Sequence, residues 1–186
     1  MKNKLLIIVM MMVVAMSCRK GGNNALQATD GESATTNLAN KNTGKPFKGS
    51  IVFNLSSTLS LPCNCGSLST VGNFEGQGNI THMGLLHAQN KTCASPIIAG
   101  TTQVGNHIVI TCGKFLAANG DEIYVNISPY DLLFGNTAAT GILTAEFTGG
   151  TGRFVNATGS FTATVTINYA QPNTAILSNI DGTIDY

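Results

Sequence analysis

Across residues 160–168 the chain alternates without a break. Phe161, Ala163, Val165 and Ile167 fall on one side, and Thr162, Thr164 and Thr166 on the other. A period of two is the mark of a β-strand with one buried and one solvated face. Runs of similar character recur at residues 48–55, 71–88, 103–117, 122–127, 142–147 and 175–186. The run at 71–88 carries Phe74, Ile80, Met83, Leu85 and Leu86 among glycines, and reads as one long strand bent at those glycines. Residues 56–70 form a polar loop, and Asn119-Gly120 between two apolar runs predicts a type I′ hairpin. Nothing after the N-terminal segment shows the 3.6-residue period of a helix. Twenty-one glycines and the lack of Trp fit short strands joined by tight turns. Seven or eight strands in about 140 residues predict an all-β domain. We expect a closed antiparallel β-barrel of about eight strands, with a β-sandwich as the alternative. Closure leaves no open strand edge, which suits a chain with only 10% charged residues.

The first seventeen residues read as an address. A basic start, with Lys2 and Lys4, leads into an unbroken apolar run at residues 5–15. That run is too short for a bilayer core, which needs about 20 residues, and it fits the centre of a secretory signal peptide. Ala15-Met16-Ser17-Cys18 then resembles a bacterial lipobox, with Val14 or Ala15 where Leu is usual. The resemblance implies that Cys18 becomes a lipidated amino terminus. The protein would then sit on a membrane of the bacterial cell envelope, facing the periplasm or the cell surface. An ordinary signal peptide with an unmodified Cys18 is the alternative. Residues 18–45 contain no aromatic residue and only two Leu, so they cannot bury enough apolar surface to fold and read as a tether. Residues 46–186 form the expected barrel domain. Ten basic and nine acidic residues give a net charge of +1. No basic excess exists to displace counterions, which excludes a nucleic-acid partner bound through phosphate neutralisation.

Four cysteines follow Cys18: Cys63, Cys65, Cys93 and Cys112. In an exported chain an even count predicts a disulfide framework. A direct Cys63–Cys65 bridge would close a small strained ring, so each is expected to join Cys93 or Cys112. A four-cysteine zinc site is the competing reading, but Cys-x-Cys is tighter than the usual ligand spacing. No Cys-x-x-Cys redox pair occurs. His82 and His87, five apart on one strand, would face opposite sides and so share no metal. His82 reads as a packed strand residue. No Gly-x-Ser-x-Gly elbow and no His-Glu-x-x-His motif is present. We therefore assign no catalytic residue, metal or cofactor.

Three segments carry a family likeness. They are Gly78-Asn-Ile-Thr-His-Met-Gly84, Ala117-Ala-Asn-Gly-Asp-Glu122, and Phe147-Thr-Gly-Gly-Thr-Gly-Arg-Phe-Val-Asn-Ala-Thr-Gly-Ser-Phe161. Together they resemble the allene oxide cyclase-like and dirigent-like β-barrel superfamily, in particular its secreted bacterial members. The resemblance implies an eight-stranded barrel with a cavity for an apolar or phenolic ligand, and a homo-oligomer, since plant relatives often form trimers. Gly149, Gly150 and Gly152 would shape a compact loop through backbone conformations that other residues rarely adopt, with Phe154 packing it onto the barrel end. Gly150-x-Gly152 lacks the third glycine of a dinucleotide fingerprint. Arg153 would bind carbonyls of that loop. The plant cyclases use a buried carboxylate, and no residue here matches it. Glu75 and His82 are the weak candidates for a pocket wall. The expected function is a non-enzymatic barrel that binds a small apolar ligand or a surface partner. An isomerase or cyclase working inside the barrel is one alternative, and a structural or adhesive envelope module is the other. A cavity of about 300 Å³ or more would favour the first two.

Overall fold

The computed structural model describes residues 44–186, and the predicted signal, lipidation and tether segments lie outside them apart from the last two tether residues. Nine strands run in order: β1 Lys45–Ser56, β2 Ser69–Ile80, β3 Gly84–Ala99, β4 Thr102–Ala117, β5 Glu122–Ile127, β6 Tyr130–Phe134, β7 Ala138–Gly150, β8 Thr158–Asn168 and β9 Thr174–Asp185. A single 3₁₀ turn, Gly152–Phe154, joins β7 to β8. All pairings are antiparallel, and the β3–β4 pairing closes the sheet into a barrel of eight strands. The barrel expected from the sequence is what forms.

The ninth strand, β6, continues β5. Lys114 pairs with Tyr124, and Ile108 pairs with Tyr130. Six positions separate the two pairs on each strand, so β5 and β6 keep one register along β4. The interruption falls at Ser128-Pro129. Pro129 has no N–H to give to a ladder. The Ser128 amide turns instead to the Thr144 carbonyl at 2.9 Å.

Two strand expectations change. Residues 71–88 are two strands, β2 and β3, joined by a turn at Thr81-His82-Met83. The turn is fixed by Thr81, whose hydroxyl donates to the Pro46 carbonyl at 2.7 Å and accepts from the Lys48 amide at 2.9 Å. His82 takes a positive φ of 63° there and is exposed, so it is not a packed strand residue. The hairpin at Asn119-Gly120 is not type I′ either. Gly120 has φ 88°, but Asn119 is not in the positive-φ region. The Gly120 amide reaches the Ala117 carbonyl and the Ala117 amide reaches the Asp121 carbonyl, both at 2.9 Å. This is a three-residue loop closed by a left-handed glycine, the next most favoured hairpin connection.

The interior is graded along the barrel axis. Near the start of β1 it is filled by rings: Phe47 lies 4.9 Å from both Phe147 and Phe161, and 6.1 Å from Phe115. Phe154, fully buried, meets the Tyr186 ring edge-on at 4.6 Å and seals this end. Phe154 therefore packs the glycine loop onto the barrel, as expected. Arg153 does not bind loop carbonyls through its guanidinium. That group lies over the rings of Phe154, at 4.6 Å, and Tyr186, at 5.4 Å, and the Arg153 amide donates to the Asp121 carboxylate. A planar cation over an aromatic face is favourable where a carbonyl is already engaged by its own strand.

The glycine loop also needs one correction. Gly149 and Gly152 have positive φ, 119° and 53°, but Gly150 does not. Gly150 is required by a close approach instead. A Cβ there would collide with the Glu122 carbonyl oxygen and lie 2.9 Å from Phe154 Cβ. That same carbonyl accepts the Thr151 amide at 2.9 Å, so it cannot move freely. Gly150→Ala is expected to destabilise the domain by roughly 1–3 kcal/mol through overpacking. Thermal unfolding would read this as a fall of about 2–4 °C per kcal/mol, and an unchanged midpoint would contradict the steric account.

Candidate functional site: an apolar cavity at the open end

Above the ring cluster the barrel is not filled. A cavity of about 120 Å³ remains, with Phe161 and Phe115 as its floor and Phe74, Ile108, Leu143 and Val165 among its walls. Val71, Ile167 and Ala175, near strand ends, surround its outer part. Alternation puts these residues inside: Phe161, Ala163 and Val165 are each 2% exposed, whereas outward Ile142 is 62% exposed. The cavity wall includes Gly113 of β4 and Val125 and Ile127 of β5. Gly113 has no side chain there, and the space that a Cβ would fill is bounded by Val125 at 3.3 Å and Ile127 at 3.7 Å.

Polar residues also join the wall: Gln89, Asn90 and Thr92 from β3, Asn106 and Lys114 from β4, and Tyr130 from β6. Asn90 is the one polar side chain buried among the described residues. The Thr92 hydroxyl donates to Asn90 Oδ1 at 2.9 Å. Tyr130 packs beside Gly141, with its ring carbon 3.2 Å from where a Cβ of that residue would stand. Burial pushes the Tyr130 hydroxyl up to about 12, so it stays protonated through the physiological range. Among the described residues no Asp, Glu, His or Cys side chain lines the cavity.

The two weak sequence candidates lie elsewhere. Glu75 is exposed and follows inward-facing Phe74, so it points away from the interior. It borders an open groove of about 790 Å³ on the outer face of β1, β2 and β3, together with Gln77 and His87. That groove is the more open of the two and has the more polar lining. His82 is at the sealed end, remote in the fold from the cavity. His107 pairs with Asp131 at 2.8 Å on the outer surface. Glu122, held below the usual carboxylate range by its hydrogen bond from Lys114, is also outside the cavity.

The cysteines pair as Cys63–Cys112 and Cys65–Cys93, spanning 49 and 28 residues. Both partners of the loop at residues 57–68 are thus on β3 and β4, as expected. The loop lies on the outer face: Asn73 donates to the Leu59 carbonyl at 2.8 Å and Lys91 to the Cys63 carbonyl. Asn73, Lys91 and Cys112 are successive register partners across β2, β3 and β4. Two bridges in one small domain fit an oxidising, non-cytoplasmic compartment.

Sequence reasoning missed Asn90 and Tyr130. Residues 89–102 carried no strand assignment, yet Leu86, Ala88, Asn90 and Ala94 continue one alternating buried series. Extending that series would have placed a polar side chain among inward positions. Tyr130 follows Pro129 in a five-residue strand too short to stand out. No family model matches the chain, and no curated protein or solved structure matches it.

Proposed function

We propose that this protein is a lipid-anchored envelope barrel of the allene oxide cyclase-like kind that binds a small, mostly apolar ligand without transforming it. One observation carries the binding part: an apolar-walled cavity of about 120 Å³ at the open end of an otherwise tightly filled barrel. An engineered cavity of about 150 Å³ with similar lining takes up benzene. The volume falls short of the roughly 300 Å³ taken above as favouring a binding or catalytic barrel, which narrows the reading to a ligand of about one ring. The isomerase alternative needs an acid–base group at the reacting atoms. Among the described residues the wall's ionisable groups are the Tyr130 phenol, at about 12 and a poor base near neutral pH, and Lys114, whose ammonium is paired with Glu122. A purely structural module would have no reason to leave this space in its core, since unfilled apolar volume costs stability.

Native mass spectrometry of protein purified from its own envelope tests the reading. A retained small neutral mass supports it, and the same spectra give the oligomeric state. Protein that carries nothing, and that takes up neither methylcyclopentane nor cyclopentanone, overturns it. The anchor has its own test. Cys18→Ala is expected to move the protein from the membrane fraction to the soluble fraction, because several buried acyl chains at about 0.8 kcal/mol per CH₂ would be lost. Undiminished membrane retention would rule out lipidation at Cys18.

A further inference from the structure

We infer that the cavity's ligand carries one neutral hydrogen-bond acceptor, a carbonyl or ether oxygen, received by the side-chain amide of Asn90; this rests on the binding function proposed above. Asn90 is 8% exposed and sits on β3 between inward-facing Ala88 and the apolar upper wall. Among the described residues the buried side-chain polar atom without a partner is Asn73 Oδ1, so Asn90 Nδ2 is reached by a water-sized molecule from the cavity side and is available to a ligand. One of the four hydrogen-bonding positions of the Asn90 amide is filled: the Thr92 hydroxyl donates to Oδ1, which fixes which way the amide faces. Nδ2 has no hydrogen bond to any described residue, and Asn90 lines the cavity. Two N–H donors are therefore available to whatever fills that space.

Tyr130 adds an independent observation. It faces the same cavity from β6, on the other side of β4 from Asn90. Its hydroxyl likewise has no hydrogen-bond partner among the described residues. Both side chains offer donors, three N–H or O–H groups in all, while one Asn90 Oδ1 lone pair is already engaged by Thr92. The complement is an acceptor. A carboxylate or phosphate is disfavoured, because Lys114, the one cationic side chain on the wall among the described residues, is committed to Glu122 by its ammonium group. An ion placed here would lose its hydration with only neutral dipoles in exchange. The ligand class is thus a small cyclic or branched ketone, aldehyde, ester or ether.

The test compares cyclopentanone with methylcyclopentane, two rings of similar size, on the whole folded protein by methyl chemical-shift titration. Asn90→Leu keeps the branched four-atom shape, adds some bulk and removes the donors, so the ratio of the two probe affinities is the readout. The variant is expected to weaken cyclopentanone about tenfold relative to methylcyclopentane, as expected for a polar partner lost from a buried site. Tyr130→Phe removes only a hydroxyl, and should weaken the ketone alone by roughly threefold. It keeps the question open to test if Asn90→Leu folds poorly. Equal changes for both probes in both variants would overturn the inference while leaving cavity binding intact. Failure of the unmodified protein to bind either probe would instead remove the binding function itself.

Discussion

Replacing Cys65 and Cys112 together with alanine, and so deleting both bridges, is expected to cost the domain more stability than any single core substitution. Each cross-link restricts the unfolded chain over 49 or 28 residues, and loops of that size stabilise by roughly 2–4 kcal/mol. The shorter loop is nested within the longer, so the combined loss falls somewhat below the sum. The bridges act on a segment with little else to hold it. Residues 57–68 form no strand, and most are exposed or half-buried. Their anchorage to the sheet includes the Asn73–Leu59 and Lys91–Cys63 contacts, and Asn73 Oδ1 has no partner of its own. Two effects should therefore appear together. The thermal midpoint falls by about 2–4 °C per kcal/mol, and limited proteolysis cuts within residues 57–68 while the strands survive. A midpoint within 2 °C of the unmodified protein would mean that the bridges fasten a loop without constraining the fold.

What could be read ahead of the structure followed from how each strand is flanked. β8 was legible because both of its faces are declared, with Phe161, Ala163 and Val165 against three threonines. β3 was half hidden. Its second part, from Thr92 to Ala99, mixes small and polar residues and contains Pro96. The proline is tolerated because β3 outruns β2 there: pairing to β2 ends at Ala94, while Pro96 faces only Asn106 of β4. That edge needs no N–H donor. β6 was invisible for a related reason, since Pro129 breaks what is otherwise one continuous strand with β5. The disulfide partners were narrowed correctly because ring strain removes one pairing and the exported context supplies the chemistry. The choice between the two that remained depended on register, which places Cys112 opposite Lys91 and Cys93 opposite Val109.

The cavity was not legible, and the reason is geometric. Alternation says which side of a strand faces inward, but not whether the inward side chains meet in the middle. Four phenylalanines meet at one end because β1, β4, β7 and β8 each present one at the same height. At the other end β4, β7 and β8 present Ile108, Leu143 and Val165 where they presented phenylalanines before, β1 keeps one in Phe53, and Gly113 presents nothing. Shorter side chains on a barrel of the same girth leave a gap. Glu75 drew notice in the sequence because carboxylates do chemistry, but its parity with Phe74 sets it outside. Asn90 drew none because its strand had not been recognised.

Phe161 stands at the boundary between the filled and unfilled halves, so truncating it should change both stability and capacity. Its ring is 2% exposed, lies 4.9 Å from Phe47, 5.5 Å from Phe147 and 6.1 Å from Phe115, and forms the cavity floor. Phe161→Ala is expected to destabilise the domain by roughly 3–5 kcal/mol, since the surrounding strands are hydrogen-bonded on both sides and cannot collapse into the space. The removed ring would join the existing cavity to the phenylalanine cluster and admit a two-ring ligand. Indole, too large for about 120 Å³, should then raise the variant's melting temperature in proportion to the logarithm of its concentration while leaving the unmodified protein unmoved. A variant that melts like the unmodified protein would show that Phe161 is not part of a packed floor. A destabilised variant that indole does not rescue would show that the gap opens away from the cavity. Rescue by indole would tie the two halves together, because a ligand can restore stability here only by occupying the volume the ring once filled.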